Sequence, residues 1–134
     1  MKTKGSIQVL FFAAAIYDGI LGVAFLFKGS ALFQWLDVTP PNHLGYIQFP
    51  AALLVIFAIM FLAITINPVR NRNLIPYGIL LKISYCGVVL YYWLSTGLPD
   101  MWKPFCIIDF AFLILFIWAW VAVHGVMTQL DTTA

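Results

Sequence analysis

Four apolar runs, residues 7–27, 46–66, 74–94 and 104–126, fill nearly the whole 134-residue chain. Each is about as long as the 20-residue helix needed to cross ~30 Å of hydrocarbon. The segments between them, "DVTPPNHLG", "NPVRNRN" and "STGLPDMWKP", gather Pro, Gly and Asn with the charges, as turns do. Pro50, Pro76 and Pro104 fall in or near the first turn of a run, where a missing N–H costs little. A soluble alternative would need a polar surface, and 7 basic and 5 acidic residues, 9% of the chain, cannot supply one when a soluble domain carries about a quarter charged residues. The expectation is an all-α polytopic membrane protein: one four-helix transmembrane bundle in a lipid bilayer, without a separate soluble domain.

Lys2 and Lys4 ahead of an apolar stretch with "AAA" resemble a secretory signal, but the run continues to Phe27, beyond a signal core. With four crossings, both termini and the "NPVRNRN" turn share a side carrying Lys2, Lys4, Arg70 and Arg72, whereas the other side has Lys28 and Lys103. The positive-inside rule then predicts cytoplasmic termini. On the outer side, residues 30–37 read as an interfacial segment with Leu32, Phe33, Trp35 and Leu36 in the headgroup layer, and Trp35 and Trp102 as interfacial anchors.

Three ionisable residues lie inside runs: Asp18, Lys82 and Asp109. Each needs a partner or a proton. Counting from the run ends places Asp18 about 16 Å and Lys82 about 12 Å from the cytoplasmic side, and Asp109 only about 8 Å from the outer side. Asp18 is therefore the expected partner of Lys82. Small residues flank both, Ala14 and Gly22 around Asp18, and Gly78 and Cys86 around Lys82, so the two stripes are expected to face each other across a close helix contact. Such a pair organises a bundle whether or not it has a further role. Asp109 is then left over, to be protonated, exposed to a watery vestibule, or hydrogen-bonded to Tyr85, Tyr91 or Tyr92. Together these groups are expected to form a polar track.

Other chemistry finds little support. Cys86 and Cys106 differ by about 10 Å in expected depth and form no CxxC, so two buried thiols are expected rather than a disulfide or redox motif. His43 and His124 lie at opposite ends of the bundle, which argues against a shared haem, and no metal site is expected. Glycine-rich phosphate loops, nucleophile elbows and HExxH are absent, and no catalytic residue stands out. The basic residues are too dispersed for nucleic acid. No cofactor is predicted, although aromatic residues could line a groove for a quinone, a carotenoid or another lipid-soluble ligand.

The order of short spans, the first helix "YDGILGVAFLF", and the long connection leading into "HLGYIQFPAALLVIF" resemble the DoxX/DoxD-like group of small bacterial membrane proteins. The resemblance covers most of the chain at the level of layout. It implies a four-helix bundle in a bacterial cytoplasmic membrane, often an accessory component of a redox or sulfur-related system. "YDGILG", "KISYCG" and "KPFCIIDF" match no catalytic motif of that group, so no functional residue carries over. The expected function is a non-enzymatic accessory subunit docking other membrane proteins; the alternatives are a small oligomeric transporter or proton-linked carrier using Asp18, Lys82 and Asp109, for which a homo-oligomer is expected, and a quinone-linked redox component.

Overall fold

A computed structural model of the chain describes residues 2–134. Its described residues form four α-helices, α1 (Lys2–Trp35), α2 (Gly45–Ile66), α3 (Ile75–Leu94) and α4 (Trp102–Thr133), with a 3-10 turn at Arg72–Leu74 leading into α3. Each α-helix is long and apolar enough to cross a membrane. Consecutive helices are antiparallel, so both termini and the α2–α3 turn share one end of the bundle, the near end. The connections 36–44 and 95–101 share the far end. α1 packs along α2, α3 along α4, and α1 also meets α4, whereas α2 and α3 scarcely touch.

α1 and α4 outrun their apolar stretches, because a helix does not stop where hydrophobicity does. α1 breaks at Lys28, whose backbone leaves helical geometry (φ −127°, ψ 22°). Beyond the break, residues 29–35 fold over the far end, and Phe33 is buried with its ring centroid 6.2 Å from Phe25 and 6.0 Å from Trp102. Trp102 is itself half-buried. Within the segment expected at the headgroups Phe33 turns inward as a cap, while Gln34, Trp35 and Leu36 are exposed, Trp35 at 80%. The cap ends in a left-handed residue, Asp37 (φ 54°). There Val38 N–H donates to Phe33 O and Asp37 N–H to Gln34 O, closing the orphan carbonyls of the last turn.

The near end is held by polar side chains on backbone carbonyls. Gln8 Nε2 donates to Thr65 O at 2.8 Å, joining α1 to α2, and Asn71 Nδ2 donates to Ala63 O at 2.7 Å across the turn. Inside, Phe11, Phe61 and Phe116 from three helices form a ring cluster with centroids 4.6 to 5.8 Å apart. Gly78 makes room for it: a Cβ there would lie 2.8 Å from the Phe61 ring and 3.3 Å from that of Phe116.

Candidate functional site

Asp18 on α1, Lys82 on α3 and Asp109 on α4 meet in the interior. Lys82 Nζ donates to both oxygens of Asp18, at 3.0 and 2.9 Å, and to Asp109 Oδ1 at 2.8 Å. A lysine ammonium has three N–H bonds, so this triad uses every donor it has. The rings of Tyr17 and Phe112 flank the ammonium, with centroids 5.6 and 5.4 Å from Nζ, within range of a cation–π contact. The side chain of Lys82 is fully buried and that of Asp18 nearly so, while 11% of the Asp109 side chain stays accessible.

Asp109 is therefore not left over, and the helix register explains why. Depth counted from Pro104 assumes that α4 starts level with the outer end of α3, but it starts deeper. Cys86 Sγ lies 3.6 Å from Cys106 O, so these residues are level. From there Lys82 is about 6 Å and Asp109 about 4.5 Å further toward the near end, and the two heights nearly coincide. The same register sets Pro104 beside Val88, about 9 Å below the last residue of α3. The tucked start is secured by buried Met101, by half-buried Leu98 packed on the Cys86–Val89–Cys106 cluster, and by a 3.1 Å bond from Tyr85 Oη to Trp102 O. It also removes the expected 10 Å offset between the cysteines, which are both free and buried.

Two further expectations change. Tyr85 serves the Trp102 carbonyl rather than a carboxylate, and Tyr91 and Tyr92 are exposed, stacked edge-on at 5.1 Å. The small-residue stripes do not face each other either. Gly22 is pressed against α2, where an added Cβ would come within 2.8 Å of Ala51 O and 2.9 Å of Val55 Cγ2, and Gly78 faces the phenylalanine cluster. Cys86 faces α4 through Cys106, and Ala14 joins the near-end core. α1 and α3 sit diagonally in the bundle, and what joins them at this level is the length of the lysine stem.

Above the triad, toward the far end, lies a cavity of about 850 Å³, a size suited to a small organic molecule. Leu53, Leu54 and Phe57 of α2 and Leu81, Ser84 and Val88 of α3 form its sides, and Thr39, Pro40 and Pro41 of the connection reach its rim. It lies between the two helices that scarcely touch, and Val88 and Leu53 are exposed at its edge, so it opens sideways. Asp18, Asp109 and Tyr17 line its floor. Ser84 Oγ is engaged with Leu81 O at 2.7 Å. Tyr17 Oη is the one buried side-chain polar atom without a partner among the described residues.

Tyr17 and Phe112 are the members of the site that sequence reasoning passed over. Phe112 lies three residues after Asp109 and so shares its helix face, a signal that was available. No described group of three or more His, Cys, Asp and Glu is assembled to hold a metal. His43 Nδ1 accepts from Gly45 N–H, and His124 Nδ1 lies 2.7 Å from Trp120 O at the opposite end. No protein-family model, curated protein or solved structure matches the chain, and the layout likeness to DoxX/DoxD-like proteins gains no support from these comparisons.

Proposed function

We propose that this protein is a small integral membrane carrier that holds one lipid-soluble molecule inside the bundle, with Asp18, Lys82 and Asp109 as the polar pole of the site. The observation that carries this reading is the contact between cavity and triad: a space of about 850 Å³, apolar on its sides, ends on an ion cluster. A buried ion pair that only sets helix register has no need of such a space, and an accessory role resting on helix docking alone leaves the cavity without a use. On this reading the near end, with Lys2, Lys4, Arg70 and Arg72, faces the cytoplasm. The cavity then opens to the outer leaflet between α2 and α3, where a lipid-soluble molecule can enter without crossing water.

The test uses the full chain in lipid nanodiscs and the neutral probe N-phenyl-1-naphthylamine, which brightens in an apolar site. Wild-type protein should bind it saturably beyond uptake by empty discs. The double change Ser84→Trp with Val88→Trp fills the cavity from positions already exposed in it, and should weaken binding by at least about tenfold, the equivalent of one good contact. Unchanged binding by this variant, with helicity retained, refutes the site.

A further inference from the structure

We infer that the molecule held here is a lipophilic monocation with at least one N–H, a protonated amine on an apolar body. The inference rests on the carrier reading above and adds the chemistry of its ligand.

Charge gives the first argument. Asp18, Lys82 and Asp109 are the buried charged residues among those described, two acids against one base. With both acids ionised the cluster has an uncompensated negative charge in a low-dielectric interior, which is costly unless a cation meets it. α2, the remaining wall, contributes no charged side chain to the cavity. A monocation balances the site; a carboxylate or phosphate headgroup worsens it.

Hydrogen bonding gives the second. All three lysine donors are engaged, two on Asp18 and one on Asp109 Oδ1, so with both acids ionised the triad has no donor left to offer. What remains is acceptor capacity on Asp109, whose carboxylate is the more accessible of the two acids and lines the cavity. An N–H of a ligand fits that oxygen, and a charge-assisted bond of this kind is about twice as strong as a neutral one. The carbonyls of an oxidised quinone are acceptors and would meet another acceptor. Tyr17 Oη, the spare donor, is buried.

The walls agree with both arguments. Phe25, Phe33, Tyr85, Trp102 and Phe105 line the upper cavity, and aromatic faces attract organic cations. Their apolar bulk also suits a hydrocarbon body rather than a hydrated metal ion.

The experiment compares three molecules with one chain length, decylamine, decanol and decanoate, as competitors for N-phenyl-1-naphthylamine on the full-length protein in zwitterionic nanodiscs. Concentrations are corrected for partition into empty discs. Decylamine should displace the probe at a concentration at least about tenfold lower than decanol, with decanoate weakest. Asp109→Asn should bring decylamine within about threefold of decanol. Ser84→Lys, which puts a fixed cation on the cavity wall, should also abolish the preference, and it leaves the triad intact if Asp109→Asn fails to fold. Equal displacement by amine and alcohol, or a preference for decanoate, overturns the ligand class while the cavity reading stands. Absence of probe binding to wild-type protein overturns the carrier reading, and this inference with it.

Discussion

Replacing Lys82 by Met keeps the length and apolar character of the stem and removes the charge that joins three helices. The wild-type ammonium makes bonds of 2.9 Å to Asp18 and 2.8 Å to Asp109. These distances leave the nearest oxygens of the two acids at most about 6 Å apart, where two anions repel by roughly 3 kcal/mol at an effective dielectric constant of about 20. Loss of one member of a buried ion cluster costs about 3–5 kcal/mol, chiefly because the remaining charge is stranded. Lys82→Met should therefore lose about 3–5 kcal/mol. Asp109→Asn keeps an acceptor for the same lysine N–H, exchanges a charge-assisted bond for a neutral one and leaves a neutral Asp18–Lys82 pair, so its cost should be no more than about 1 kcal/mol. The triple variant Lys82→Met, Asp18→Asn, Asp109→Asn strands no charge and should recover part of the loss. Equilibrium unfolding of the detergent-solubilised protein by a denaturing detergent, followed by circular dichroism, ranks the three. A Lys82→Met protein as stable as wild type, or a triple variant less stable than Lys82→Met alone, refutes the assignment of Lys82 as the bridge.

The glycines of α1 should differ in the same unfolding assay. Gly22→Ala forces a methyl against the Ala51 carbonyl at 2.8 Å and should cost about 1–3 kcal/mol, whereas Gly19→Ala meets Ala58 Cβ at an ordinary 3.5 Å and should be neutral or gain up to about 1 kcal/mol from helix propensity. Tyr17→Phe removes the hydroxyl that lacks a partner and should leave stability unchanged or raise it by about 1 kcal/mol; a clear loss would show that this hydroxyl is bonded.

Helix number and type are written in the apolar runs, because crossing hydrocarbon fixes both length and composition. The identity of the buried ions is equally plain, since Asp18, Lys82 and Asp109 are the charged residues inside those runs. Their partnership is less so. Pairing Asp18 with Lys82 follows from depth, but the bond to Asp109 depends on how far α4 is tucked beneath the end of α3, which is decided by Leu98, Met101 and the Tyr85–Trp102 bond. Those are contacts between helices, invisible to a count along one. The glycine stripes fail for a related reason: smallness marks a close approach but not the neighbour, and Gly22 found α2 while Gly78 found a phenylalanine ring. The cavity has no sequence signature, because it arises from a packing that α2 and α3 do not make.

The sparse contact between α2 and α3 has a consequence for biogenesis. The helices pair as two hairpins, α1 with α2 and α3 with α4. The first can close early, since Gly22 and Ala51 lie within α1 and α2, yet its aspartate has no cation until sixty-odd residues later in synthesis. A nascent chain halted in the "NPVRNRN" turn would hold a paired but electrically unfinished hairpin, and arrival of the third helix would mark the moment at which that half is committed to the lipid.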